Sequence, residues 1–268
     1  MFLDKAFGSA SDEVVIEERM FGEKASLLAF CDGKTVVPMI AAQDHKRALD
    51  GDLGLNTGGM GAYSPAPVLT PGLLKETIEK VLKPTMEAMA SEGMPYVGCL
   101  YAGLMITKAG IKVVEFNARF GDPETQVVLP LLDTDLYEIL DACTEGRLHD
   151  IDIKWKEGSC ATVVAASGGY PKAYAKGKVI TGLEEANKVE DAIVFHAGTK
   201  LNEDKNIVTS GGRVLNVTAT APNLKDALGK CYESISHIKF DDMQFRRCLL
   251  YTSPSPRDYA ASRMPSSA

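Results

Sequence analysis

Pairing is what the cysteines of this chain lack. Cys31, Cys99, Cys143, Cys160, Cys231 and Cys248 are scattered, and no two form a C-x-x-C unit. That excludes a zinc ribbon or a thioredoxin-type redox site. Cys160 stands before the apolar run Ala-Thr-Val-Val, so the thiols read as reduced core residues of a cytoplasmic protein. No apolar run approaches the roughly 18–20 residues that span a bilayer, and no membrane partner is expected. The start, Met1-Phe-Leu-Asp-Lys5, lacks a basic region followed by an apolar core, so no secretory signal is expected. Positive charge is also short. Lys and Arg number 29 against 36 Asp and Glu, a net charge of −7. That balance argues against a nucleic-acid partner. It leaves anionic small molecules open, because a few basic groups and backbone amides can hold a phosphate on an acidic protein.

What is present is an ordinary globular composition: 268 residues, 45% hydrophobic and 24% charged, enough for one large domain or two smaller ones. Residues 14–16, 25–30 and 35–42 read as strands, with a turn at Phe21-Gly22-Glu23. Residues 43–67 read as a long loop rich in Gly, Asp and Asn. Thr70 and Pro71 then open a helix whose apolar stripe is Leu74, Ile78, Val81, Leu82, Met86 and Met89. Pro84 is expected to kink it and Gly93 to end it. Residues 96–107 and 111–116 read as paired strands, and a further helix covers 134–144 before Gly146. Beyond Trp155 the pattern changes to short strands at 160–166, 178–180, 192–196, 207–209 and 213–220. Ser210-Gly211-Gly212 is read as a hairpin tip. A last helix is capped by Asn223, with Leu224, Ala227, Leu228, Cys231 and Ile235 on one face.

Residues 111–126, IKVVEFNARFGDPETQ, carry the most chemistry. Val113, Val114 and Phe116 read as a buried strand interrupted by Glu115 and Asn117. A strand alternates its faces, so both oxygen-bearing side chains point the same way. With Arg119 following, they make a seat for a hard cation and the phosphates it carries. A merely wet sheet face would explain Lys112 and Glu115 but not Asn117 and Arg119 before a glycine turn.

Residues 56–62, NTGGMGA, come second: closely spaced glycines let backbone amides turn inward around an anion. Gln43-Asp44-His45-Lys46-Arg47 precedes them, either as a solvated charged face or as fixed charge on a ligand. His45 alone reads as a hydrogen-bonded structural residue rather than a general base. Glu17-Glu18 follows residues 14–16. The pair is either an acidic surface or a strand end that binds ribose hydroxyls while the adjoining backbone meets an adenine. In Asp122-Pro123-Glu124, Asp122 is the expected helix cap, a role compatible with touching substrate.

Taken together, QDHKR, NTGGMGAYSPAP and EFNARFGDPETQ resemble the ATP-grasp ligases, and within them the phosphoribosylamine–glycine ligase family. Gly168-Gly169-Tyr170-Pro171 and the stretch 210–216 continue the resemblance, which covers roughly residues 3–247. It implies an α+β fold: an ATP-grasp core of mixed or antiparallel sheet and helices over 1–156, then a small β-rich domain over 157–247. In that family Glu115 and Asn117 match the ligands of Mg2+ (or Mn2+), and Glu17 and Glu18 the nucleotide hinge. Asn56, Gly58, Gly59, Met60 and Gly61 fall around the acceptor and phosphate sites with Asp44, Lys46 and Arg47. Arg119 and Asp122 join them there as the catalytic candidates. The implied reaction joins glycine to phosphoribosylamine and splits ATP to ADP and phosphate through a glycyl phosphate. Positioning and charge neutralisation dominate such a transfer, so no Ser-His-Asp or Cys-His set is called for.

The chain departs from the family at both ends. It starts at what resembles the last helix and strand of the ATP lid. From Cys248 its sequence resembles translated library-adapter DNA, so 248–268 is expected to be a non-native tail without function. Little or no ligase activity is expected of this chain alone. Two other readings remain open: a different ATP-grasp carboxylate–amine ligase, and a magnesium–nucleotide-binding module without turnover.

Overall fold

A computed structural model describes residues 8–249. Residues 14–16, an expected strand, pair with nothing among the described residues, and Val15 and Ile16 are 85% and 91% exposed. The first long strand is β1 (Glu23–Asp32), followed by the short β2 (Val36–Pro38). The supposed loop 43–67 contains four strands: β3 (Gln43–Asp44), β4 (Arg47–Leu49), β5 (Leu53–Asn56) and β6 (Gly61–Ser64). They are two to four residues long, too short for an alternating pattern to show. Helix α1 (Pro71–Thr77) starts as expected, with Thr70 Oγ1 accepting from Leu73 N at 3.4 Å. A π turn, Ile78–Leu82, carries the chain into α2 (Lys83–Ser91). The irregularity falls just before Pro84, which has no N–H for a regular ladder.

Strands β7 (Val97–Thr107) and β8 (Gly110–Asn117) form the expected hairpin. The short α3 (Thr125–Val128) follows, but Asp122 is not its cap: Glu124 holds that position with no side-chain cap bond. The Asp122 carboxylate instead accepts from Gln126 and Arg213. Helix α4 (Leu136–Glu145) is capped by Asp135 and closed by Gly146 at φ 69°. After β9 (Ser159–Ala166) come α5 (Leu183–Ala186), β10 (Ala192–His196), β11 (Thr199–Leu201), β12 (Ile207–Thr209), β13 (Arg213–Ala221) and α6 (Leu224–His237). Asn223 caps α6, its Oδ1 accepting from Asp226 N at 3.0 Å.

One antiparallel sheet has the order β2-β1-β7-β8. Alternate residues of β1 bury on opposite faces, which is why it reads as a continuous apolar run. Leu27 and Ala29 pack with Leu82 and Met86 from the α1–α2 side; Leu28 and Phe30 pack with Val127 and Ile139 from the α3–α4 side. Strand β8 is the edge, and Val114 and Phe116 are exposed rather than buried as expected.

The second antiparallel sheet has the order β10-β13-β9-β6-β3, so it draws strands from both sides of residue 156. Helix α6 covers it with Ala227, Leu228, Cys231 and Ile235. Residues 178–180 form no strand, only an isolated bridge from Val179 to Val208. Residues 210–212 are not a hairpin tip. Strand β12 pairs with β11, and β13 with β10 and β9, so this turn passes the chain between two sheets. Five of the six cysteines are free and buried, and Cys248 is half-buried. Among the described residues no helix is long and apolar enough to cross a membrane.

Candidate active site

The β7–β8 register places the metal candidates. Glu115 pairs with Gly103 and Asn117 with Tyr101, and a bulge beside Gly103 sets Val114 outside the ladder. A Cβ on Gly103 would lie 3.0 Å from Glu115 Cγ and 3.3 Å from the Tyr101 ring, so the glycine lets these side chains converge. Glu115 and Asn117 line one cleft with Asp44, Lys46, Gly58, Tyr101, Arg119, Asp122 and Glu124. Seven of the residues singled out from sequence therefore meet in one place.

Within the cleft, Lys46 Nζ lies 3.5 Å from Glu115 Oε1 and 3.8 Å from Asp44 Oδ2. Burial, reinforced by the neighbouring Glu124 carboxylate, pushes the Asp44 carboxyl up to about 7, against the pull of Lys46. Glu124 is buried, and its Oε1 accepts from Tyr101 Oη at 2.8 Å and Ser26 Oγ at 3.0 Å. Burial and Glu124 hold the Tyr101 hydroxyl well above its ordinary value, keeping it a donor. Gly121 gives Glu124 room, since a Cβ there would meet Glu124 Oε2 at 2.5 Å. Sequence reasoning missed Ser26, Tyr101 and Glu124. Folding β7 onto β8 about Gly110 in regular register would set Tyr101 opposite Phe116, and only the bulge at Val114 brings it opposite Asn117; Glu124 was masked as part of a helix opening.

The glycine segment does not form the expected anion cradle. Thr57 N donates to Lys46 O, Gly58 N to Tyr170 Oη, Gly59 N to Thr57 Oγ1 and Met60 N to His45 O. With those amides committed, the glycines serve close packing. Gly59 sits at φ 121°, and a Cβ there would meet Pro123 Cδ at 2.5 Å. Met60 is fully buried, and a Cβ on Gly61 would meet Thr162 O at 2.6 Å. Arg213 ties this segment to the Asp122 turn. Its Nη1 donates to Gly58 O at 3.1 Å and Asp122 O at 2.8 Å, and the guanidinium also meets both Asp122 carboxylate oxygens. Neither Arg213 nor Tyr170 was singled out as a site residue, since only the tertiary fold brings them here.

The other candidates lie apart. Arg47 and Asn56 border a neighbouring polar cleft with His45, and Arg47 Nη1 donates to Gly54 O. Burial and the nearby Arg246 guanidinium depress the His45 pKa to about 4, so the ring is neutral and structural. Glu18 lines a third, larger cleft and pairs with Lys112 at 3.5 Å; Glu17 is exposed on the extended segment before it.

Among the described residues, no three acidic, histidine or cysteine side chains gather to cage a metal. A magnesium ion carried on nucleotide phosphates needs only one or two protein oxygen ligands. Glu115 and Asn117 supply that number in one cleft, and the Lys46 ammonium beside Glu115 marks a place where positive charge is already held.

Comparison with known proteins identifies the family and the fold. The family described as phosphoribosylglycinamide synthetase matches twice: its ATP-grasp (A) domain over residues 1–125 and its C domain over 160–248. A phosphoribosylamine–glycine ligase of a Nostoc species is 54% identical over 91% of this chain and 58% of its own length. A bifunctional purine biosynthetic protein of Dictyostelium discoideum is 49% identical over 92% of this chain and 33% of its own. The crystal structure of phosphoribosylamine–glycine ligase from Thermotoga maritima superposes with TM-score 0.77 at 33% identity, covering 86% of this chain and 56% of that one. The chain thus spans little more than half the length of such single-function relatives. It belongs to the phosphoribosylglycinamide synthetase family and has the ATP-grasp fold.

Proposed function

We propose that this chain supplies the metal–phosphate cleft of a phosphoribosylamine–glycine ligase. In this reading the glycine carboxylate attacks the terminal phosphorus of ATP and ADP leaves. The amine of phosphoribosylamine then attacks the acyl carbon and phosphate leaves. No side-chain nucleophile is used, so the protein's task is to align reactants and to balance charge. Mg2+ (or Mn2+), when bound, would neutralise the phosphate oxygens. Glu115 and Asn117 would hold that ion. Lys46 and Arg119 would set fixed positive charge over the carboxylate and the transferring phosphoryl group. Asp122, gripped by Arg213, would keep the glycine segment against the cleft. Glu17 and Glu18 are assigned to the nucleotide's ribose end. The cytoplasm, where the buried thiols stay reduced, is the proposed compartment.

The observation that carries this reading is the opening of Glu115 and Asn117 into the same cleft as Lys46 and Arg119. Two measurements test it. Calorimetry of the chain with ADP and magnesium should give binding that Glu115→Ala weakens. Turnover can be read in a chimera where this chain replaces the matched region of the Nostoc relative. That chimera should release ADP only when glycine and phosphoribosylamine are both present. A folded chimera that turns over a different amine instead would refute the substrate assignment.

A further inference from the structure

Strands β4 and β5 form a flap, residues 47–56, beside the polar cleft that Arg47 and Asn56 border. Among the described residues the two strands pair only with each other, and all of β5 is exposed. Leu49 and Leu53, partners across the flap, are 55% and 64% exposed, so apolar burial does not hold it in place. Its hold comes from the tip. Gly51 and Asp52 are both left-handed, at φ 68° and 59°, and this turn brings Asp50 and Asp52 against residues 246–248. Asp52 Oδ1 accepts from Arg246 Nη1 at 3.0 Å, and Asp50 Oδ1 from the backbone amides of Arg247 and Cys248 at 2.8 and 3.2 Å. Arg246 Nη1 also reaches Arg47 O at 3.4 Å.

The other side of this clasp is itself anchored. Gln244 exchanges backbone hydrogen bonds with Ala166 at the end of β9, and Tyr232 Oη of α6 donates to Arg246 O at 3.1 Å. The flap is therefore fastened to the frame of the second sheet. The Arg246 side chain is fully buried, whereas that of its counter-charge Asp52 is 56% exposed. A buried guanidinium stabilises a core no better than an apolar side chain of its size. What it adds is direction, because its forked donors fix one orientation of the groups they bond.

We propose that Arg246 is a positioning residue for the ligase reaction, fixing the flap so that Arg47 and Asn56 meet the sugar-phosphate substrate in the polar cleft. Arg47 suits such a ligand, since among the described residues Gly54 O takes one of its donors and leaves the rest for phosphate oxygens. The end of the second sheet thereby sets the shape of a cleft built by the first part of the chain. This inference rests on the ligase reading given above, and the clasp and the ligand are read by separate signals.

Hydrogen exchange and calorimetry on the unaltered chain, Arg246→Met, Arg246→Lys and Asp52→Asn test it. The calorimetric probe is ribose 5-phosphate, which carries a hydroxyl in place of the amine of phosphoribosylamine. Arg246→Met and Asp52→Asn should speed exchange of the flap amides about tenfold or more, with β1, β7, β9 and β13 nearly unchanged. Both should weaken ribose 5-phosphate about fivefold, because only the clasped fraction is competent, and leave ADP–magnesium affinity as it was. Arg246→Lys, which keeps the charge, should restore part of both effects. Should Arg246→Met fail to fold, Asp52→Asn makes the same break from the exposed side. Unchanged flap exchange in a folded variant would overturn the clasp, and acceleration spread over every strand would make Arg246 a plain core residue. A loosened flap with undiminished ribose 5-phosphate binding, or no such binding by the unaltered chain, would overturn the positioning role. Absence of any ADP–magnesium binding would fault the nucleotide reading instead, and the exchange rates would still judge the clasp.

Discussion

Removing the Arg213 guanidinium should loosen the joint between the glycine segment and the Asp122 turn. Its contacts are Asp122 Oδ2 at 3.1 Å, Asp122 Oδ1 at 3.2 Å, Asp122 O at 2.8 Å and Gly58 O at 3.1 Å. The Arg213 side chain is 21% exposed and that of Asp122 48%, so solvent screens the ion pair. After screening, the two-pronged pair is worth about 1 kcal/mol. The two carbonyls can recruit water once the guanidinium leaves, and they add about 0.5 kcal/mol each. Arg213→Ala should therefore cost about 2 kcal/mol, near 4–8 °C in Tm for a chain of this size. Urea unfolding of the single variants and of the double variant with Asp122→Asn forms the cycle, with a coupling of about 1 kcal/mol expected. The same variant should weaken ADP–magnesium binding, because both cleft walls lose their brace. A loss below about 0.5 kcal/mol with additive effects would show that the joint is a crossing of surfaces, not a brace.

Other outcomes follow from burial and charge. Glu115→Ala in the chimera should lower turnover about a hundredfold, on the order of 3 kcal/mol of barrier, as for loss of one electrostatic stabiliser; near-normal turnover would contradict its metal role. His45 titrates near 4 in the folded chain against 6.5 when unfolded, so its share of stability is complete above pH 6.5 and fades as pH falls through about 4. Asp44 runs the other way. Raised from 3.8 to about 7, its share is complete below pH 3.8 and is lost as pH rises through about 7. The two slopes oppose each other between pH 4 and 6.5. Relative to the unaltered chain, urea stability of Asp44→Asn should climb more steeply with pH across that window, by up to about 3 kcal/mol, and that of His45→Gln less steeply. Unchanged slopes in both would contradict these assignments. Burial pushes the Cys31 and Cys99 thiols up to about 12. A thiol reagent at neutral pH should therefore label Cys248 in the native chain and all six cysteines only in denaturant; rapid native labelling of Cys31 or Cys99 would refute their burial.

Sequence showed most where local chemistry decides. Thr70 and Pro71, Gly93, Asn223 and the Lys108-Ala109-Gly110 turn marked real boundaries, because caps and positive-φ glycines act within a few residues. The shared face of Glu115 and Asn117 was legible for the same reason, since strand alternation is local. What partners supply over distance was not legible. Of the strands hidden in residues 43–67, β4 and β5 pair locally with each other, whereas β6 is held by β9 from about a hundred residues away, and through β6 the two-residue β3 joins that sheet. Val114 and Phe116 looked buried because an apolar strand carries no mark of lying at a sheet edge. The glycines of NTGGMG were read as freedom to bind an anion, but Pro123 and Thr162 press against Gly59 and Gly61, and four loop amides bond within the protein. Arg213, at the start of β13, and Tyr170, in the turn after β9, both bond Gly58 at the cleft wall, a placement that spacing cannot encode.

Crystals of the chain grown with ADP and Mn2+ would put the whole account at stake, since anomalous scattering locates the ion without reference to any expected ligand. The ion should lie about 2.1 Å from a Glu115 carboxylate oxygen and the Asn117 amide oxygen, bridging to phosphate with Lys46 drawn away from Glu115. Nucleotide bound with its ion on other residues, while Glu115 and Asn117 stay in contact only with protein and water, would contradict it.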